Sequence, residues 1–420
     1  MRLKPGSPLY VELDFGTHVV NAGRLALDRG TAVYEPAGEL GATLRVNPFF
    51  DISGLVRAKD PRTFDGLHGV FADSLPDAWG QILVSRRAAA HRIAYDSLTA
   101  LDKLAIVGGR GMGALRYRPE FDHTPLDESI DLDILATESL AILQGESSAV
   151  LEQIEALGGS SGGARPKVLV GMNEVGDVIA GQSSLPDGYA HWIVKFRHRS
   201  DLVDIGPLEV AYADMAHAAG IVMTPTRLLP AKSGPGYFAT QRFDRVGTAR
   251  RLHVASAAGL LDADWDGPGV DADMLLKLTW AVTRQYDDVE KMFARIVFNV
   301  AVHNRDDHAK QHAFLMDERG TWRLAPAYDL TYSRGPGGEH YLAVNGKGND
   351  ITRNDLAKLA DAHSIPSGRA NEIIDGCIGA ASSFSALARE RGVSTGTARV
   401  VRSAIDAQLR LLKKTSRAIT

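Results

Sequence analysis

With 420 residues, 45% hydrophobic and 23% charged, the chain has the make-up of an ordinary globular protein with room for two or three domains. Its 47 Lys and Arg against 51 Asp and Glu leave a net charge of -4, so no global basic field directs it to nucleic acid. One cysteine, Cys377, excludes a disulfide framework, no apolar signal follows Met1, and no stretch approaches the roughly 20 apolar residues of a membrane span. The expectation is a soluble protein of the reducing cytoplasm with no membrane partner, in which Cys377 is a small apolar filler of a helix.

Residues 7–50 read as a β-rich start. Leu9, Val11, Leu13 and Phe15 alternate with other residues, and short strands at 25–27 and 31–34 follow between Gly turns. Residues 71–80 open a helix that Ser74 or Asp77 can cap, leading through Ile82, Leu83 and Val84 into Arg86-Arg87. Another helix is expected over 96–104. The Gly-rich run 108–115 invites a nucleotide-loop reading, but a dinucleotide fingerprint needs a strand before it and a helix after it. Here a helix precedes and a strand, 115–118, follows, which makes it a structural turn. Residues 119–133 read as an acidic linker and 134–157 as helical. After the change of composition at 158–167, strands are expected at 168–171, 178–180 and 191–196, a helix at 208–219, and extended chain at 227–229 and 237–245. From about residue 250 the chain reads as mainly helical apart from one hairpin, 314–316 with 322–324, and it closes with a helix over 399–412. There is no internal repeat.

Val289, Met292, Phe293, Ile296, Val297, Val300 and Ala301 recur at three- and four-residue spacing, so a helix with one buried face runs into the charged stretch 303–312. A buried helix that delivers acids, histidines and a lysine is building a site. Asp306, at its end, can accept or orient the proton of a substrate hydroxyl, and Lys310 can neutralise charge on a transferred group. Asp329, at the end of the hairpin, suits Mg²⁺, which prefers carboxylates, phosphate oxygens and water. Lys195 shares a strand face with Ile193, where an ammonium needs a partner, and Glu209 begins the next helix. The order is a Gly-rich turn with a Lys, a strand Lys with a helix Glu, an extended hinge, a helix ending in an Asp loop and a hairpin ending in Asp. That is the order of parts in a protein-kinase-like phosphotransferase.

Over nearly its whole length the sequence resembles the HipA-like serine/threonine kinases, the toxin component of a bacterial type II toxin–antitoxin pair. The segments that carry the likeness are Leu75-Pro76-Asp77-Ala78-Trp79-Gly80, Gly113-Ala114-Leu115, Ser160-Ser161-Gly162-Gly163-Ala164-Arg165-Pro166-Lys167, Ile193-Val194-Lys195, Arg242-Phe243-Asp244-Arg245, Asp306-Asp307-His308-Ala309-Lys310 and Pro326-Ala327-Tyr328-Asp329-Leu330. The resemblance implies an α+β, two-lobed protein-kinase-like fold. It would comprise a β-rich amino-terminal subdomain (1–122), an ATP-covering lobe with a phosphate-binding loop (123–245) and a mainly helical lobe carrying the catalytic loop (246–420). It implies ATP and Mg²⁺ as cofactors, Asp306 as the catalytic aspartate with Lys310 beside it, and Asp329 as a metal ligand. Gly162, Gly163, Ala164, Arg165 and Lys167 would form the phosphate loop, with Lys195 and His308 also on the nucleotide. Gln241, Arg242 and Phe243 would meet adenine at the hinge, through main chain and the Phe ring. Ser160, or its neighbour Ser161, matches an autophosphorylation site that switches the kinase off. The second metal ligand of the family is usually Asn, and here that place holds Gln311, the same amide oxygen on a longer stem. The implied partners are a protein substrate among translation components such as an aminoacyl-tRNA synthetase, a small helix-turn-helix antitoxin, and operator DNA through the antitoxin complex.

Two rivals stand beside this reading. His303, His308 and His312 with Asp306 and Asp307 can be read as a transition-metal hydrolase site, His308 and His312 having the i, i+4 spacing of two ligands on one helix face. A weakly active or inactive pseudokinase, acting as an antitoxin-binding co-repressor, would account for Gln311, with Arg86-Arg87 or Lys413-Lys414 touching DNA phosphates.

Overall fold

The computed structural model describes residues 2–38, 40, 43–51, 53–121, 130–146, 148, 150–158, 163–181, 183–264 and 269–413. The alternation at the start of the chain becomes β1 (Leu9–Asp14), with Leu9, Val11 and Leu13 buried and Tyr10 exposed. It pairs antiparallel with β2 (Val19–Asp28). With β3 (Thr31–Pro36), β4 (Val56–Arg57) and β5 (Leu115–Arg118) these strands form a sheet in the order β4-β3-β2-β1-β5. β2 begins well before the expected 25–27, because its first half takes the β1 edge across a bulge at Val11/Glu12. There Gly23 has φ +138, and a Cβ would stand 2.2 Å from the Glu35 carbonyl oxygen, so the close approach requires glycine.

Helices α1 (Gly69–Ala72) and α3 (Ala100–Val107) pack on this sheet, while α2 (Ala78–Ala90), between them in sequence, packs on a later helix and the core of a second sheet. α3 starts later than the expected 96–104, because Thr99 and Asp102 close a capping box and leave residues 95–97 as a 3₁₀ turn. The stretch expected as one helix over 134–157 is two, α4 (Leu132–Leu143) and α5 (Leu151–Gly158). Gly145, at φ +86, donates its amide back to the Ile142 carbonyl and ends the first.

A second antiparallel sheet, ordered β7-β6-β8-β10-β9, contains β6 (Lys167–Asn173), β7 (Val178–Ala180), β8 (Tyr189–Lys195), β9 (Thr226–Leu229) and β10 (Tyr237–Gln241), with α6 (Ile205–Ala218) against it. Its core includes Ile154, Leu157, Val168, Val170, Trp192 and Val194, and it also takes Trp79 and Leu83 from α2. The amino-terminal part and the second sheet therefore share buried surface.

The carboxy-terminal lobe opens with a two-stranded ribbon, β11 (Arg245–Val246) and β12 (Arg250–Arg251), followed by β13 (His253–Ser256), α7 (Ala257–Leu261), α8 (Ala272–Thr283) and α9 (Tyr286–Ala301). The expected hairpin is present as β14 (Ala313–Met316) and β15 (Trp322–Leu324), but β13 adds to it, giving a three-stranded sheet. Helices α10 (Arg353–Ala362), α11 (Ser367–Ser382), α12 (Phe384–Glu390) and α13 (Thr395–Lys413) complete the lobe. The expected apolar face of α9 is buried, and Cys377 is buried on α11. Among the described residues no helix is long and apolar enough to cross a membrane.

The Gly-rich turn before β5 receives a buried ionic knot. Asp244 is fully buried and accepts from Arg242 (Nε, 2.9 Å; Nη2, 2.8 Å), Arg245 Nη1 (2.6 Å) and the Gly113 amide (2.6 Å). Both arginines also donate to carbonyls of that turn, at Gly111 and Gly113. Burial alone would raise the Asp244 pKa, but the two guanidinium groups reverse the effect and hold the carboxyl well below the ordinary range. The turn is thus structural, as its strand and helix order implies. Asp244→Ala would leave two buried guanidinium groups facing one another, at a cost of about 3–5 kcal/mol. Urea unfolding of the variant checks this, with Asp244→Asn expected to lose less.

Candidate active site

β8 ends at Lys195, whose side chain is only 10% exposed. Its Nζ lies 2.8 Å from Glu209 Oε2 on α6 and also donates to Asp329 Oδ1. The second Glu209 oxygen accepts from Arg165 Nη1 (2.9 Å), and Arg165 Nε donates to Asp201 (3.0 Å). Burial lowers the Lys195 pKa, yet Asp329 and Glu209 outweigh it, so the ammonium is held above its ordinary value. Burial likewise lifts Asp329, but Lys195, Arg165 and Lys167 overcome it and keep the carboxyl well below its ordinary range. Lys167, at the first position of β6, pairs in register with Lys195. Burial and then the Lys195 charge push its pKa down to about 8. Gly163 and Ala164 are exposed just before it, while Ser160, Ser161 and Gly162 lie outside the described residues.

From the other lobe, Asp306 follows α9 with half of its side chain exposed. Partial burial, with the Asp329 charge adding to it, raises its pKa despite His308, whose Nε2 is 3.9 Å away, and Arg165. Asp307 turns inward and accepts from His340 Nδ1 and the Tyr341 amide, both at 2.9 Å, which fixes the loop. Gln311 donates from Nε2 to Asp329 Oδ2 (3.0 Å). The expected metal pair is therefore side by side, and turning the amide over presents Oε1 beside a carboxylate, a hard-oxygen pair that fits Mg²⁺.

Lys310 Nζ is 3.2 Å from Asp77 Oδ1, and Asp77 Oδ2 accepts the Gly163 amide at 2.8 Å. Asp77 is absent from the site residues expected from sequence. It does sit at the N-cap of α2, but its side chain makes no capping bond, and in the sequence it stands out as one of two candidate caps for one helix and as part of the 75–80 segment of the family likeness. Just past β10, the Phe243 ring lies 5.3 Å from that of Tyr328. The amides of Gln241 and Arg242 are taken by the Pro225 and His191 carbonyls. The Arg242 guanidinium is committed to Asp244 and Gly111, so what this residue can offer adenine is its main-chain carbonyl.

The transition-metal reading fails on geometry. His308 and His312 do not share a helix face, because a single 3₁₀ turn, Ala309–Gln311, separates them. His303 stacks on Tyr332 at 5.5 Å, with its Nδ1 3.2 Å from the Ser333 carbonyl. Burial and the charge of Arg295 push the His312 pKa down to about 3. Among the described residues, no three His, Cys, Asp or Glu side chains converge on a metal position.

Fold and site together define a two-lobed, kinase-like scaffold with an added amino-terminal sheet. The chain belongs to the HipA-like family: its residues 159–384 match the HipA-like C-terminal domain and 20–118 the HipA N-terminal domain. It is 29% identical over 286 residues to "Putative kinase Y4mE" of Sinorhizobium fredii, a match that takes in 62% of this chain and spans 63% of that relative's length. The fold is that of the HipA chain of Shewanella oneidensis MR-1, solved with HipB and its operator DNA. The two agree with a TM-score of 0.68 at 17% identity, over 96% of this chain and 97% of the other.

Three buried histidines set an acid limit. Burial pushes His191 and His253 down to about 4, and His312 to about 3. Below the ordinary value of about 6.5 the unfolded chain takes up protons that the folded chain refuses, so stability is full above that pH and falls below it. Each such histidine contributes about 1.4 kcal/mol per pH unit in that window, partly offset by Asp73, which burial raises to about 6 so that the folded chain takes up a proton there. Urea midpoints between pH 8 and 5 check this, with a decline expected only below about 6.5.

Proposed function

We propose that the protein is an ATP- and Mg²⁺-dependent serine/threonine protein kinase, the toxin of a toxin–antitoxin pair. The observation that carries the reading is the Lys195 ammonium held between Glu209 of its own lobe and Asp329 of the other, with Asp306 beyond. Lys195, Lys167 and the amides of the loop before β6 would bind the ATP phosphates, with His308 nearby, and Phe243 would meet adenine. Asp329 and the Gln311 amide would hold Mg²⁺, which when bound neutralises phosphate charge. Half-exposed Asp306, its pKa already raised, accepts the proton of a Ser or Thr hydroxyl as its oxygen forms the bond to the γ-phosphorus and the bond to ADP breaks. Lys310 faces the charge of the transferred group. The division at 122 and 245 would then separate an amino-terminal subdomain, an ATP-covering lobe and a catalytic lobe.

Autophosphorylation at Ser160 or Ser161 would place close to two negative charges beside the phosphate loop and oppose ATP. A translation component such as an aminoacyl-tRNA synthetase is the proposed target, in the cytoplasm. A small helix-turn-helix antitoxin, and operator DNA through it, are the proposed partners, as in the Shewanella HipA complex with HipB and operator DNA. Gln311 favours a second reading, a weak or silent kinase acting as a binding module, since its longer stem moves the amide oxygen.

Incubation with labelled ATP and Mg²⁺ is expected to label the wild type or an added protein substrate, and Asp306→Asn to cut the rate by roughly 10²–10⁴-fold. Mass spectrometry should find phosphate on Ser160 or Ser161 in the wild type and none in the variant. Gln311→Asn is expected to lower the Mg²⁺ concentration needed for half-maximal labelling. If the wild type neither binds ATP nor labels anything, the kinase reading is wrong.

A further inference from the structure

Asp77 reaches the site from the amino-terminal part of the chain. It occupies the N-cap of α2 with extended backbone, φ -77 and ψ -174, where a carboxylate ordinarily bonds the helix's own amides. Here it makes no such bond. The carboxylate instead lies between the Gly163 amide (2.8 Å) and the Lys310 ammonium (3.2 Å). A backbone amide of a Gly-rich loop and a lysine of a catalytic loop are the donor types that hold a phosphoryl group. The two oxygens of Asp77 take both.

The helix behind Asp77 is anchored, so the carboxylate is presented from a fixed base. Trp79 and Leu83 are buried in the core of the second sheet, Arg87 pairs with Glu155 at 2.7 Å, and Arg86 donates to the Ile142 and Glu146 carbonyls at 2.9 and 2.8 Å. Resting on the kinase reading, we propose that Asp77 is a built-in phosphate surrogate, competing with ATP phosphates for Gly163 and Lys310. Phosphate entry displaces the carboxylate, so the amino-terminal subdomain registers through α2 whether nucleotide is bound.

Calorimetric titration of the full chain with ATP·Mg²⁺ and, separately, with adenosine tests this in wild type, Asp77→Asn and Asp77→Ser. The serine variant retains a good N-cap residue, and circular dichroism of both variants checks the fold. The expected result is ATP binding about tenfold tighter in both variants, the scale of one lost charge-assisted contact, with adenosine affinity changed by less than about twofold. Unchanged or weaker ATP binding in the variants overturns the surrogate and makes Asp77 a support for Lys310. An equal gain for adenosine overturns it as well. Absence of ATP binding in wild type and both variants overturns the kinase reading itself, and the inference with it.

Discussion

A lysine can be withdrawn from water at the end of a buried strand only if negative charge is withdrawn with it. That constraint organises the protein. Lys195 comes from the second sheet, Glu209 from the helix packed on that sheet, and Asp329 from the loop after the hairpin of the other lobe. Arg165 closes the arrangement by taking the second oxygen of Glu209. No member could stay charged at its burial without the others, since an isolated buried ion costs several kcal/mol. The lobes are therefore joined electrostatically at this point.

The rest of the site hangs on the same economy of charge. Of the adjacent acids after α9, Asp307 is spent on His340 and the backbone at 341, and that immobilises the loop. Asp306 remains half in solvent with its pKa raised. Two chemically identical residues thus acquire different work from their surroundings alone. Gln311 donates to the second oxygen of Asp329, so its amide stands directly against that carboxylate.

Patterns local in the chain were legible from sequence. The apolar spacing of α9, the hairpin of β14 and β15 and the strand bearing Lys195 emerge where expected, because periodicity reports burial directly. What escaped was long-range. β13 joins the hairpin from some sixty residues upstream, and its short, mixed sequence carries no signal of that pairing. Asp77 was legible as a helix cap and as part of the 75–80 segment of the family likeness, but not as a site residue, since its partners Gly163 and Lys310 lie 86 and 233 residues away. Arg242 shows the converse, a residue expected at a nucleotide whose side chain is claimed by a neighbouring acid. Helix boundaries moved wherever a cap, at Thr99, or a glycine, at Gly145, outweighed the apolar pattern.

The sharing of Trp79 and Leu83 with the core of the second sheet has a consequence for how the molecule comes apart. Pulling the first hundred residues away would strip two large side chains from a core they help to fill, baring Ile154 and Val168 on one side and the indole on the other. The amino-terminal part and the second sheet therefore lean on one core, and loosening either strips packing from the other.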